Sequence, residues 1–81
     1  MHPRMEHQAT VYTREGCHLC ESAHELLARY GVEVTLVDID QQAELRAQYN
    51  ECVPVVWIDG KERFRGTVDE RLLRRLLRSR D

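Results

Sequence analysis

The chain has few of the features that mark several classes of protein. Its 81 residues include only three cysteines, an odd number that does not suit the closed disulfide framework of a small secreted domain. No apolar run approaches the roughly 18 residues of a membrane span. The first eight residues, MHPRMEHQ, contain no apolar segment of the secretory-signal type, and we expect residues 1–8 to form a disordered tail. The net charge of −2 gives no overall attraction to nucleic acid or to an anionic membrane.

These absences favour one small domain, residues 9–81, in a reducing cytoplasm. We expect it to be a monomer that binds neither nucleic acid nor a membrane. In a reducing compartment, two cysteines close together in sequence serve catalysis or metal binding more often than they form a structural disulfide.

The stretch TREGCHLCE places two cysteines, Cys17 and Cys20, three positions apart. Residues 9–13 predict a short strand directly before them, and the apolar spacing of residues 18–30 predicts a helix that ends at Gly31. Cys17 is therefore expected at a helix N-terminus, where unpaired N–H groups and the helix dipole stabilise a thiolate. Cys20 is expected one turn deeper, where its thiol can attack a mixed disulfide on Cys17.

The middle of the chain predicts more alternating elements. VEVTLVDI, residues 32–39, has the composition of a strand buried on both faces. Asp40 is placed to cap a short helix that carries Leu45 and Tyr49 on one side. Asp59-Gly60 is a strong hairpin turn between a strand at 55–58 and a charged strand at 62–64.

The last segment predicts a helix that begins at a capping box formed by Thr67 and Glu70. One apolar stripe follows, made of Val68, Leu72, Leu73, Leu76 and Leu77. The full order β-α-β-α-β-β-α predicts an α/β fold, a three-layer sandwich with a four-stranded mixed sheet.

A pair of cysteines in a C-x-x-C spacing also suits a metal. Cys17, Cys20, His24 and Cys52 can in principle supply four ligands to zinc or to an iron-sulfur cluster. The chain has no second C-x-x-C and no H-x₃-H motif to complete such a site. The position of the pair between a strand and a helix favours redox chemistry, and a metal or cluster-binding module is the alternative.

Three stretches, VYTREGCHLCE, VPVVWIDG and FRGTVD, together resemble the glutaredoxins of the thioredoxin superfamily. The resemblance is greatest to small bacterial glutaredoxin-like proteins with a GCHLC active site, and it covers roughly residues 9–78. It implies the thioredoxin/glutaredoxin fold and a thiol-disulfide oxidoreductase. Cys17 would be the nucleophile and Cys20 the resolving thiol, with a cis Val53–Pro54 bond facing them.

The same resemblance implies a groove for substrate or glutathione beside the cysteines. Its residues would be Arg14, His18, Val53, Pro54, Gly66 and Asp69. The backbone of Val53 would pair with an extended peptide or with the glutathione cysteine, like an added strand. The segment around Gly66 resembles the G-G-x-D-D signature of the family, with Arg65 at one glycine position and Val68 at one acid position. The resemblance implies no tightly bound cofactor, and the electron donor would be glutathione or a protein of the thioredoxin-reductase type.

Two other features have alternative interpretations. Cys52 is either a small, buried, unreactive thiol, which we favour, or a third redox thiol. The arginines at positions 71, 74, 75, 78 and 80 form either the solvated face of an amphipathic helix, which we favour, or a nucleic-acid patch.

Overall fold

The computed structural model describes residues 7–50 and 52–78. Within these residues, four strands and three α-helices follow one another in the predicted order. They are β1 (Gln8–Thr13), α1 (His18–Arg29), β2 (Glu33–Asp38), α2 (Ala43–Tyr49), β3 (Val55–Ile58), β4 (Lys61–Arg65) and α3 (Glu70–Arg78). A single 3-10 turn, Ile39–Gln41, lies between β2 and α2.

The strands form one mixed sheet in the order β2-β1-β3-β4. β1 runs parallel to β2 and antiparallel to β3, and β3 pairs with β4 as a hairpin. Asp59 and Gly60 at the hairpin turn have φ values of 52° and 86°. Two successive positive φ values match the twist of the paired strands, which confirms the hairpin predicted at this dipeptide.

Helices cover both faces of this sheet. On one face, α1 and α3 pack Leu27 and Leu73 against Val11 and Val56 of the central strands. On the other face, α2 and the 3-10 turn pack Tyr49 and Ile39 against Val55. The predicted three-layer sandwich with a four-stranded mixed sheet is therefore confirmed. No helix in the described ranges is long and apolar enough to cross a membrane.

β2 is not the doubly buried strand that its composition predicts. It pairs with β1 alone among the described strands, so it forms an edge of the sheet. Leu36 of this strand is 49% exposed. Its apolar sequence satisfies the pattern of a central strand, but composition does not encode which strands flank it.

The cap of the second helix differs from the prediction at Asp40. The N-cap position of α2 is Gln42, which makes no side-chain cap bond. Asp38 instead caps the preceding 3-10 turn, with its Oδ1 accepting from the Asp40 N–H at 2.9 Å. The inserted turn moves the start of α2 along the chain, and the Asp40 carboxylate bonds elsewhere.

The cap of α3 also lies two residues beyond the predicted Thr67. Asp69 Oδ1 accepts from the backbone N–H groups of Arg71 at 2.9 Å and Leu72 at 3.2 Å. Leu72, predicted in the apolar stripe, is 47% exposed, whereas Leu73 is fully buried.

The predicted disordered tail lies outside the described residues over positions 1–6. His7 and Gln8, however, are joined to the domain through Asp59. Its Oδ1 accepts from the Gln8 N–H at 3.0 Å, and its Oδ2 lies 2.6 Å from His7 Nδ1. The Gln8 N–H, followed by the His7 ring, holds the pKa of the Asp59 carboxyl below its usual value. β1 therefore begins at Gln8, one residue before the predicted domain boundary.

The two adjacent leucines of α3 give a matched test of this packing. Leu73→Ala should lower the free energy of unfolding by about 2–5 kcal/mol, because it leaves a cavity between α3 and the sheet. Leu72→Ala should change it by about 0.5 kcal/mol or less, because its side chain is half exposed. Urea unfolding followed by circular dichroism measures both. Equal losses in the two variants would contradict the burial of Leu73 and the exposure of Leu72 described above.

Candidate active site

Cys17 occupies the N-cap position of α1. Its backbone is extended, with φ −93° and ψ 107°, and its Sγ accepts from the Cys20 N–H at 3.1 Å. Its carbonyl accepts the first helical bond, from the Glu21 N–H at 3.1 Å. The Cys17 side chain thus caps the N-terminus of α1, where backbone donors are unpaired and the helix dipole is positive, as predicted. A sulfur in this position accepts a stronger hydrogen bond as an anion than as a neutral thiol.

Cys20 lies behind Cys17 and is far less accessible. Its side chain is 3% exposed, whereas Cys17 is half-buried, and both are free thiols. Burial, followed by the hydrogen bond with the Cys17 side chain, raises the pKa of the Cys20 thiol. The structure therefore holds one accessible sulfur, at Cys17, and one buried thiol, at Cys20.

The bond between Val53 and Pro54 is cis, as the resemblance implied. β3 starts at Val55, which lies opposite Tyr12 of β1. Continued by one residue, this antiparallel register brings Pro54 to Thr13, whose side chain lowers the otherwise raised pKa of Cys20. The register of the sheet therefore places Pro54 beside the end of β1, where the cysteine loop begins. Within the described part of the chain, no residue bonds to the backbone N–H or C=O of Val53.

Arg14 is held by groups on the chain itself. Its Nε and Nη2 donate to Asp40 Oδ2 at 3.0 Å and Oδ1 at 2.6 Å. Its Nη1 and Nη2 donate to the carbonyl of Asn50 at 2.7 Å and to Asn50 Oδ1 at 3.2 Å. The guanidinium holds the pKa of Asp40 below its usual value. Arg14 therefore links the cysteine loop to both ends of the α2 region.

The two residues between the cysteines face outward. The His18 side chain is 95% exposed, and its Nδ1 is 3.9 Å from Glu21 Oε1. Leu19 is 51% exposed. Both side chains are available for contact with a partner molecule.

Gly66 and Asp69, predicted to contact glutathione, are bonded within the chain. The Gly66 N–H donates to the carbonyl of Pro54 at 2.7 Å, and Gly66 has φ 86°. Asp69 caps α3, as described above. A contact of either residue with glutathione stays a prediction.

Arg65 and Cys52 form a pairing that the sequence reasoning did not find. Arg65 donates to Glu62 at 2.7 and 3.2 Å, lies 5.6 Å from the centre of the Tyr49 ring, and lies close to the Cys52 side chain. These contacts, chiefly the one with Glu62, raise the pKa of Arg65. Cys52 is half-buried, so it is more accessible than the favoured interpretation required. The signal in the sequence was the arginine at a glycine position of the family signature.

The metal alternative gains no geometric support. Across residues 7–50 and 52–78, no three side chains of histidine, cysteine, aspartate or glutamate converge closely enough to hold a metal ion. Cys17, Cys20, His24 and Cys52 therefore do not form the four-ligand site considered from the sequence.

Comparisons with known proteins agree with this geometry. The family model for the glutaredoxin-like domain (DUF836) matches residues 8–78. Uncharacterized proteins of Mycobacterium tuberculosis and Mycobacterium bovis are each 36% identical to this chain, over 83% of it and 78% of their own length. The family predicted from the three sequence stretches is confirmed.

Solved structures give the same fold. A structural genomics target protein from X. campestris is 38% identical, with a TM-score of 0.71 over 86% of this chain and 95% of that one. A thioredoxin from Fasciola hepatica is 25% identical, with a TM-score of 0.54 over 93% and 81% of the two chains. A mutant thioredoxin from Halobacterium salinarum is 21% identical, with a TM-score of 0.58 over 88% and 71%. The predicted thioredoxin-like fold is confirmed.

The unequal burial of the two sulfurs predicts unequal reactivity. With Cys52 replaced by serine, Cys20→Ser leaves Cys17 alone and Cys17→Ser leaves Cys20 alone. Iodoacetamide at neutral pH should label Cys17 roughly tenfold faster or more, because Cys20 is buried and its thiol is harder to ionise. Labelling of Cys20 should rise only as the pH passes above the usual pKa of a cysteine, since burial raises its own.

Mass spectrometry of quenched samples measures both rates. As a control, the two single-cysteine chains should react at similar rates in denaturant. Fast labelling of Cys20 in the folded chain at neutral pH would contradict the burial described here.

Proposed function

Because the chain belongs to the family of glutaredoxin-like domains, we propose that it is a thiol-disulfide oxidoreductase that reduces disulfides of proteins or small molecules. The observation that carries the proposal is the position of Cys17 Sγ at the N-terminus of α1, 3.1 Å from the Cys20 N–H, with the Cys20 thiol buried behind it. This arrangement separates an attacking sulfur from a resolving one.

The first step is attack on the substrate. The Cys17 thiolate attacks one sulfur of a disulfide R–S–S–R′, forming a bond from Cys17 to R–S and releasing R′–S⁻, which takes a proton from solvent. The leaving thiolate takes the electron pair of the broken S–S bond. The protein is then joined to the substrate by a mixed disulfide.

The second step releases the substrate and uses Cys20. As its thiol loses a proton, the Cys20 sulfur attacks Cys17 Sγ and displaces R–S⁻, which becomes the second substrate thiol. The substrate has gained two electrons and two protons, and the protein holds a Cys17–Cys20 disulfide. Burial raises the pKa of the Cys20 thiol, so that Cys17 is the sulfur that reacts first.

The backbone of Val53 is suited to hold the substrate during these steps. Its N–H and C=O make no hydrogen bond within the part of the chain that the structure describes, and an extended segment can pair with them as an added strand. The exposed side chains of His18 and Leu19 would lie against the same partner.

The electron donor that returns the disulfide to two thiols is proposed to be a thioredoxin-reductase-type protein rather than glutathione. Arg14, Gly66 and Asp69, three residues that the family resemblance assigns to glutathione, already donate or accept bonds within the chain. Arg65 adds a side chain at a glycine position of the signature. We further propose that the protein acts as a monomer in the cytoplasm, where reductants of this kind are present.

Replacement of each cysteine tests the proposed roles. Cys17→Ser should abolish reduction of a protein disulfide, and Cys20→Ser should accumulate a mixed disulfide with the substrate, because the second step is lost. Cys52→Ser is the matched control and should keep most of the activity. Turbidity of reduced insulin and mass spectrometry of the trapped adduct measure these outcomes. An active Cys17→Ser variant would refute the assignment.

A coupled assay tests the donor separately. NADPH oxidation is followed with insulin as substrate, using thioredoxin reductase in one arm and glutathione with glutathione reductase in the other. Turnover should be faster with thioredoxin reductase. Equal or faster turnover with glutathione would overturn the donor proposal while leaving the roles of Cys17 and Cys20 in place.

A further inference from the structure

A groove opens beside Cys17 on the side of the edge strand β2. It has a volume of about 420 Å³ and runs between the first turn of α1 and the end of β2. Cys17, Gly16 and Thr13 line it together with residues from β2. A molecule that reacts with Cys17 can therefore extend into this groove.

Carboxylates dominate the lining of the groove. Glu15, Glu21 and Asp38 all border it, and the first two are exposed. Among the described lining residues, Arg14 supplies the one positive charge, and its guanidinium is bound by the Asp40 carboxylate at 2.6 Å. Three carboxylates therefore border the groove, and its one guanidinium is already paired with Asp40. The groove carries excess negative charge next to the reactive sulfur.

The groove also offers an apolar contact. Leu36 lies in its lining and is 49% exposed, on the edge strand that has no further strand beside it in the described sheet. A single exposed leucine is ordinary on a protein surface. This one borders the same groove as the nucleophile, so a substrate that reaches Cys17 can cover it.

From this arrangement we propose that the groove selects protein substrates whose disulfide is flanked by lysine or arginine together with an apolar side chain. The inference rests on the oxidoreductase function proposed above and names the class of substrate. Opposite charges across an interface speed association and disfavour partners of the wrong sign. The basic side chains would face Glu15 and Glu21, and the apolar one would cover Leu36.

The test uses single-turnover reduction by the prereduced protein, so that no donor is needed. Two synthetic peptides of equal length each hold one intramolecular disulfide and one leucine, flanked by lysines in one peptide and by glutamates in the other. At low salt, the second-order rate constant should be about tenfold higher for the lysine peptide, and the ratio should shrink as salt screens the charges.

Charge-matched variants locate the effect. Glu15→Gln combined with Glu21→Gln should bring the two rate constants within about twofold of each other, because it removes the charges that discriminate. Glu25→Gln combined with Glu44→Gln changes the net charge equally at exposed positions outside the groove and should keep most of the preference. A shift of the ratio by the second pair as large as that by the first would overturn the proposal.

The apolar contact has its own comparison. A third peptide keeps the lysines and carries alanine in place of leucine, and the native protein should reduce it several-fold more slowly than the leucine peptide. Leu36→Ala should lose that difference while keeping the preference for lysine over glutamate. If Leu36→Ala still distinguishes leucine from alanine to the full extent, the contact is assigned wrongly.

The two proposals fail in different ways. Equal rate constants for the lysine and glutamate peptides, with Cys17→Ser inactive on both, would overturn the substrate class and leave the oxidoreductase function intact. Reduction of the peptides by Cys17→Ser would overturn the function itself.

Discussion

The hydrogen bond from the Cys20 N–H to Cys17 Sγ is the contact on which the site depends. It exists because Cys17 is the N-cap of α1, so the side chain takes the place of the oxygen that usually caps a helix. The same bond fixes the sulfur at the positive end of the helix and sets Cys20 one turn behind it. One local event, the start of a helix directly after a loop, thereby orients the nucleophile and positions the group that resolves its product.

The rest of the fold holds that helix start in place. α1 is anchored through Leu27 to the face of the sheet that also receives α3, while β1 delivers the chain to the cysteine loop from the centre of the sheet. Arg14 then ties the loop to Asp40 and Asn50 near α2. The loop is consequently braced from both layers of helices. A site of two sulfurs needs such bracing, because thiol-disulfide exchange demands a defined approach of one sulfur to another.

Local signals in the sequence predicted most of the fold. The dipeptide Asp59-Gly60 readily adopts the positive φ values that this hairpin turn requires. In residues 18–30, apolar side chains recur at helical spacing, which predicts the helix from the sequence alone. The position of the cysteine pair at a helix N-terminus was also predicted from its neighbours, a strand before it and a helix after it. The cis bond before Pro54 was predicted only through the family resemblance, because no local pattern distinguishes it from a trans proline at a strand start.

Several of the missed features depend on residues far apart in sequence. Asp40 was predicted as a helix cap, but Arg14, 26 positions away, takes its carboxylate. The strand β2, which contains Leu36, has the composition of a central strand. Only the order of strands in the sheet shows that it lies at an edge. The contact of Arg65 with Cys52 joins two segments on either side of the hairpin. Pairings of this kind are decided by which side chains the completed fold brings together, and no periodicity records them.

The surroundings of Cys17 present partial and full charges of both signs. The positive end of the α1 dipole lies at Cys17 Sγ, whereas the carboxylates of Glu15 and Glu21 border the groove beside it. A substrate with lysine or arginine next to its disulfide would be attracted to these carboxylates, so its disulfide would be held beside the sulfur. An anionic thiol or disulfide would be repelled by them instead. The selectivity would then have an electrostatic origin in the first turn of a single helix and the loop before it.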